Sequence, residues 1–168
     1  GVYEDNGIID FVFAGNIGAV QDVHVILKAV AQIRSDYNFK VHILGDGSNL
    51  DNMKNLSENL HIDSHIKFHG RVDPKDMGKY YKLADGLLLT LSGESFIGMT
   101  LPGKVQTYLS VGKPILAAIN GAAHDLIKEA DCGLTVCSGD YMELSKNMEY
   151  FINNFDKFKE KGHNGRVY

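Results

Sequence analysis

Lys104 occupies the first turn of a predicted helix, a place where a lysine is unusual. Pro102 and Gly103 precede it, and Gly112 and Pro114 mark the end of the helix, as such residues commonly do. A helix start already carries partial positive charge and unpaired N–H groups, so a cation there opposes the helix dipole. Lys104 therefore predicts a bound anion such as a diphosphate, with a solvated lysine on an exposed turn as the alternative.

A second candidate for anion binding is the pair Gly15 and Gly18, which follows the first predicted strand. Glycines at such a turn let a ligand approach the backbone closely and can present several N–H groups to it. Two glycines three residues apart also occur where a chain simply turns tightly. The sequence leaves both interpretations open.

Spacing excludes three familiar phosphate- and metal-binding motifs. The dinucleotide fingerprint G-x-G-x-x-G requires glycines where the sequence has Ile17 and Val20. The nucleotide-binding pattern G-x-x-x-x-G-K-[ST] nearly fits residues 98–104, but Val105 stands where the magnesium-binding hydroxyl is needed. The seven histidines show no H-E-x-x-H spacing. We therefore expect no metal site and no resident cofactor.

Composition and charge narrow the class of protein. The 168 residues carry a net charge of −4 with 44% hydrophobic residues, which is typical of one globular domain and argues against a general nucleic-acid binder. No stretch reaches the roughly 20 apolar residues that span a bilayer, and the start looks cut from a longer chain. Cys132 and Cys137 lack metal-ligand spacing and are predicted to be buried, reduced thiols. We expect a cytoplasmic protein, with peripheral attachment of the full-length protein to the inner face of the membrane as a variant.

Strand-like apolar runs alternate with helical patterns along the whole chain. The predicted strands are residues 9–14, 39–44, 66–69, 86–91, 115–119 and 134–137. The first predicted helix follows Asp22. Further helices are predicted over residues 50–60, 77–83, 103–111 and 122–130, and one long terminal helix from residue 140 to beyond Phe158.

This alternation predicts an α/β fold, because continuous apolar strands belong to a parallel sheet that helices cover on both faces. We expect one doubly wound, Rossmann-like domain over residues 1–168, with the six strands in the order 3-2-1-4-5-6. The crevice of such a sheet lies beyond the carboxyl ends of strands one and four. The loops 15–18 and 92–101 would line it, and the helix of Lys104 would begin beside it.

Five segments, taken in order, resemble a known family. They are "FVFAGNIG", "VHILGDGSNL", "IKFHGRVDPKDMGKYYKLADGLLLT", "LPGKVQTYLSVGKPILA" and "HDLIKEADCGLTVCSGD". From about Asp10 to Tyr168 the sequence is similar to the carboxy-terminal, donor-binding lobe of retaining glycosyltransferases of family 4, the group 1 glycosyl transferases of the two-lobed GT-B fold. The resemblance implies a nucleoside-diphosphate sugar as donor, catalysis without a metal, and an N-terminal lobe outside this chain.

The resemblance also assigns roles to particular residues. Residues 15–18 would line the donor diphosphate or the gap between the lobes, and the main chain at Arg71 and Val72 would hold the edge of the nucleobase. Gly103 and Lys104 would begin the diphosphate-binding helix. The expected donor-binding residues are Gly15, Asn16, Gly18, Arg71, Val72, Gly103, Lys104 and Thr107, and the candidate catalytic groups are Lys104 and Glu94.

The sequence departs from the family pattern in two places. The family carries two glutamates eight residues apart near this helix, and these positions fall on Met99 and Thr107. Glu94 stands thirteen residues before Thr107, so the loop is longer here. The Arg and Lys pair that the family has after the first strand is missing from residues 15–24. Donor binding is still expected, but these departures leave open whether the protein is catalytically active.

Three functions remain as alternatives at this point. The leading one is the donor-binding half of a glycosyltransferase that acts on a glycan or lipid-linked saccharide, as in bacterial surface polysaccharide or glycan synthesis. This lobe alone would be inactive, because the acceptor-binding half is elsewhere. The others are a non-catalytic donor-binding or scaffold module, and a GT-B nucleotide-sugar epimerase.

Overall fold

The computed structural model describes residues 7–93 and 103–168, which form a parallel sheet covered by helices. The strands are β1 (Ile9–Ala14), β2 (Phe39–Leu44), β3 (Ile66–Gly70), β4 (Gly86–Thr90), β5 (Ile115–Ala118) and β6 (Gly133–Val136). The helices are α1 (Val23–Ala31), α2 (Leu50–Asn59), α3 (Met77–Leu83), α4 (Gly103–Val111), α5 (Ala122–Ala130), α6 (Tyr141–Asn153), α7 (Phe155–Phe158) and α8 (Lys161–Val167). Within these two ranges, none of the helices is long and apolar enough to cross a membrane.

The six strands lie in the order β3-β2-β1-β4-β5-β6, and all neighbours are parallel. This confirms the predicted doubly wound α/β fold and its strand order. The winding reverses between β1 and β4, so the crevice opens beyond the carboxyl ends of these two strands. The loops that follow β1, β2 and β3 and the start of α4 all reach this edge.

The central strand β1 is buried on both faces of the sheet. Phe11 and Phe13 pack with α1 and α6 on one face, whereas Val12 and Ala14 pack with α4 and α5 on the other. All six residues of β1 are buried. This double burial is the physical reason why the strand reads as a continuous apolar run rather than an alternating pattern.

One acid lies within this apolar strand, and a polar network holds it. The Asp10 carboxylate lies 2.9 Å from Nε2 of His42, and Nδ1 of His42 lies 2.9 Å from Nε2 of His69. Burial is the largest single influence and raises the pKa of Asp10, but hydrogen bonding and charge attraction, to both of which His42 contributes, together lower the pKa below its usual value. These histidines therefore serve the packing of β1, β2 and β3.

The carboxy-terminal region differs from its prediction. The expected single helix ends at Asn153, and α7 and α8 follow as separate helices. The break falls at Asn154, whose side-chain amide donates to the carbonyl of Tyr150 at 2.9 Å. The turn brings the rings of Phe155 and Phe158 back onto Phe151, with centroids 5.3 and 5.4 Å away. Both rings are buried, and their burial stabilises this arrangement.

The two cysteines also differ from each other. Cys132 is buried, as predicted, but Cys137 is exposed, so that part of the prediction is wrong. Cys137 directly follows β6, one of the two edge strands of the sheet, and lies in the turn that leads to α6. An edge position leaves such a turn open to solvent.

Candidate functional site

Three glycines meet where the strands β1, β2 and β3 end. The N–H of Gly15 donates to the carbonyl of Leu44 at 3.0 Å, and the N–H of Gly45 donates to the carbonyl of Gly70 at 2.8 Å. Gly45 has φ +139°, and a Cβ atom on it would overlap the carbonyl oxygen of Gly15. Only glycine fits at this position, and the close approach holds the two loops side by side at the floor of the crevice.

A cleft of about 380 Å³ opens above these glycines. Residues from the ends of β1, β2 and β3 and from α3 and α4 line it: Ala14, Gly15, Leu44, Gly45, Arg71, Val72, Pro74, Met77, Tyr81, Lys104 and Thr107. We call these residues the switch-point cleft. Its walls combine apolar side chains with two cations, an arrangement that suits a ligand with a flat apolar part and an anionic part.

Lys104 lines the switch-point cleft beside Gly15. Its side chain is half-buried and passes over Gly15, where an added Cβ would lie 3.7 Å from the Lys104 Cε. The Nζ atom is 5.6 Å from the centroid of the Tyr108 ring. Burial lowers the pKa of Lys104, because removing an ammonium from water disfavours its charged form. An anion bound beside the ammonium would offset this cost.

The start of α4 adds neutral donors to this charge. Gly103 is the first residue of α4, and N–H groups in a first helical turn have no acceptor within their own helix. They therefore point towards any group bound at the helix start, as in other anion sites. Lys104 and these amides together supply positive potential at one end of the cleft.

Six of the predicted donor-binding residues lie together. Gly15, Arg71, Val72, Lys104 and Thr107 line the switch-point cleft, and Asn16 lines an adjoining cavity with Gly15, Asp46, Gly47 and Arg71. The Thr107 hydroxyl donates to the carbonyl of Gly103 at 3.2 Å, so it lies one turn above the helix start.

The remaining predicted residues are placed differently. Gly18 is buried, and its N–H donates to the side-chain oxygen of Gln21 at 3.1 Å, so this amide is already engaged. Glu94 and Met99 lie outside the described residues. In residues 7–93 and 103–168, no group of three or more His, Cys, Asp and Glu side chains is placed to hold a metal ion.

Sequence reasoning missed one segment and two tyrosines of the switch-point cleft and its surroundings. The G-D-G segment at residues 45–47 was read only as the end of β2, although a G-x-G segment after a buried parallel strand is a usable signal. Tyr81 lines the cleft, and burial raises its pKa. Tyr108 packs edge-on against Tyr81 with 6.4 Å between centroids. Neither tyrosine has a local sequence signal, because only the packing of α3 against α4 brings them together.

Three known proteins illustrate what this chain is similar to. It is 26% identical over 140 residues to the N-acetyl-alpha-D-glucosaminyl L-malate synthase of Bacillus anthracis. The aligned region is 83% of this chain and 34% of that relative. The chain thus spans about a third of the length of this curated relative. The structure of Anabaena Alr3699/HepE in complex with UDP superposes with a TM-score of 0.81 at 18% identity, over 95% of this chain and 43% of that one.

The structure of WaaG, a glycosyltransferase involved in lipopolysaccharide biosynthesis, superposes with a TM-score of 0.82 at 17% identity. It covers 98% of this chain and 43% of that one. At such identities these two structures establish the fold. The sequence model of the glycosyl transferases group 1 family matches residues 4–167, almost the whole chain. The chain therefore belongs to the glycosyl transferases of group 1.

Proposed function

We propose that this chain is the donor-binding half of a glycosyltransferase and that it binds a nucleoside-diphosphate sugar in the switch-point cleft. The observation that carries the proposal is the half-buried Lys104, which lies over Gly15 at the start of α4. A half-buried ammonium beside the amides of a first helical turn favours a doubly charged group such as a diphosphate. Anabaena Alr3699/HepE, which shares this fold, has been solved with UDP and with UDP-glucose.

The proposed orientation follows from the lining of the cleft. The diphosphate would lie against Lys104 and the first turn of α4. The nucleobase would enter between Val72, Met77 and Tyr81, whose apolar surfaces suit a flat ring. The ribose would then pass Thr107, which lies one turn above the helix start.

In the proposed transfer, the second lobe binds the acceptor, and a hydroxyl of that acceptor attacks the anomeric carbon of the donor sugar. The bond between that carbon and the diphosphate oxygen breaks, the diphosphate leaves with the electron pair, and the departing diphosphate takes up the proton that the acceptor hydroxyl loses. Lys104 and the α4 amides would stabilise the charge that develops on the leaving oxygen. We propose a glycan or a lipid-linked saccharide as acceptor, which the similarity to WaaG supports.

We expect UDP or GDP to bind this chain equally well with and without EDTA. Isothermal titration calorimetry against UDP, GDP and the two free nucleosides measures this directly. Binding of a diphosphate in EDTA, with much weaker binding of its nucleoside, supports the proposal. Binding that requires Mg²⁺ would overturn the metal-free mechanism, and no binding of either diphosphate would overturn the donor site.

Thr107→Glu should tighten diphosphate binding about fivefold. A carboxylate accepts hydrogen bonds from the ribose hydroxyls more strongly than a neutral oxygen does, and the difference is about 1 kcal/mol. Thr107→Gln, with the same length and no charge, is the matched control. The gain should disappear for a 2′,3′-dideoxy nucleotide. An equal gain for both nucleotides would show that position 107 does not face the ribose.

A non-catalytic donor-binding module is the second candidate. Thr107 is neutral where the family carries a ribose-binding acid, and residues 15–24 contain no Lys or Arg. Hydrolysis or transfer assays on the full-length protein with radiolabelled UDP-sugars distinguish the two. Turnover supports the transferase, whereas binding without turnover of any donor supports the module.

A further inference from the structure

The hydroxyl of Tyr108 joins two strands of the sheet from within the core. Tyr108 lies in α4 and is completely buried. Its hydroxyl accepts the N–H of Ala14 at 3.0 Å and donates to the carbonyl of Leu88 at 3.0 Å. Ala14 is the last residue of β1 and Leu88 the middle of β4. A side chain of α4 thus makes a bridge between two backbone strands.

This bridge lies where β1 and β4 stop pairing with each other. The register of β1 with β4 covers only two pairs, Phe11 with Gly86 and Val12 with Leu87. On its other side, β1 pairs with β2 along all six of its residues. The ends of β1 and β4 therefore diverge at the crevice, and the Tyr108 hydroxyl satisfies a donor and an acceptor that a continued ladder would otherwise pair.

The same bridge fixes the start of α4. Lys104 is four residues before Tyr108, so both side chains lie on one face of the helix. The Lys104 Nζ lies 5.6 Å from the Tyr108 ring centroid, and its arm passes over Gly15, the residue after Ala14. The lysine therefore lies over the same chain segment to which the tyrosine hydroxyl bonds.

We propose that Tyr108 is a positioning residue for the diphosphate site, because its hydroxyl anchors α4 to Ala14 and Leu88 and so holds Lys104 over Gly15. This inference rests on the proposed function for its ligand, but the anchoring itself does not. The ring alone would fill the core. The hydroxyl is needed because without it a buried N–H and a buried carbonyl lose their partner.

Tyr108→Phe keeps the ring and removes only the bridge. We expect UDP to bind about tenfold more weakly, since the lysine and the helix amides lose their fixed distance from Gly15. We also expect the melting temperature to fall by roughly 2–8 °C, because two buried polar groups lose their partner. The matched control is Phe151→Leu, which weakens the core on the opposite face of the sheet and lies outside the cleft.

The decisive measurement is the NMR pH titration of the Lys104 signal in 13C-methylated protein. That signal is assigned as the one missing from the spectrum of Lys104→Ala. In Tyr108→Phe the Lys104 signal should titrate closer to an ordinary lysine than in the wild type, and in Phe151→Leu it should not move. UDP affinity should change less than twofold in Phe151→Leu. An unchanged Lys104 signal together with unchanged UDP affinity in Tyr108→Phe would overturn the positioning role, however much stability is lost.

Two further arms keep the outcomes separate. If wild-type protein does not bind UDP, the proposed function fails, while the Lys104 signal still decides whether Tyr108 positions the lysine. If Tyr108→Phe does not fold, 4-aminophenylalanine at position 108 retains a donor and a lone pair at the same place. That protein should keep the wild-type Lys104 signal, and an ordinary lysine signal in it would contradict the inference.

Discussion

Lys104→Met should weaken UDP or GDP binding about tenfold, since a charge-assisted hydrogen bond in an open cleft contributes about 1.5 kcal/mol. Methionine keeps most of the arm that passes over Gly15 and removes only the charge. Binding of the free nucleoside should not change, because the proposed orientation puts the nucleobase at the other end of the switch-point cleft. Calorimetry with nucleotide and nucleoside side by side measures both effects.

The same variant should be as stable as the wild type or more stable. Lys104 is a half-buried cation at the positive end of α4, and removing such a charge relieves roughly 0.3–1 kcal/mol. Lys128→Met, at an exposed site in the last turn of α5, is the control: it should leave binding unchanged and should not raise stability, because a cation at that end of a helix favours the dipole. Equal diphosphate affinity before and after the Lys104 change would show that the lysine does not bind the diphosphate.

Gly45→Ala should lower the free energy of unfolding by roughly 2–5 kcal/mol, because the new methyl group combines backbone strain with overpacking. Its Cβ would overlap the Gly15 carbonyl, which belongs to backbone and cannot rotate away. The two loops must separate, so diphosphate binding should fall at least as strongly as in the Lys104 variant. Urea denaturation and UDP calorimetry test the two effects.

Gly139→Ala separates strain from overlap. Gly139 also has a positive φ, +82°, but an added Cβ there meets no heavy atom within 4 Å. We expect it to cost only the strain, about 1–2 kcal/mol, and to leave UDP affinity unchanged. Equal losses of stability in the two variants would show that the Gly15 loop moves aside at little cost.

The sheet could be predicted from the sequence because its signals are local. The strands β1, β4 and β5 lie between helices and are buried along their whole length, so they read as nearly continuous apolar runs. Given that pattern, the right-handed crossover rule leaves few topologies, and the order β3-β2-β1-β4-β5-β6 was among them. The helix start at Gly103 and Lys104 was likewise marked by local residues.

The end of the last long helix was not predicted, because its signal is ambiguous. Phe151, Phe155 and Phe158 are spaced as on one helix face, and the same spacing fits a helix that breaks and folds back. The break at Asn154 depends on whether the rings of Phe155 and Phe158 find room against the core. That room is a property of the packed sheet.

The sequence by itself determined the positions of two residues: Lys104 at a helix start and Gly15 after the first strand. The tertiary structure alone decided what lies against them. The Tyr108 hydroxyl meets the Ala14 amide across 94 residues of chain, and Gly45 meets Gly15 across two strands. Contacts between distant segments have no sequence period, because they depend on how helices pack on the sheet, so the lysine could be predicted while the residues that hold it in place could not.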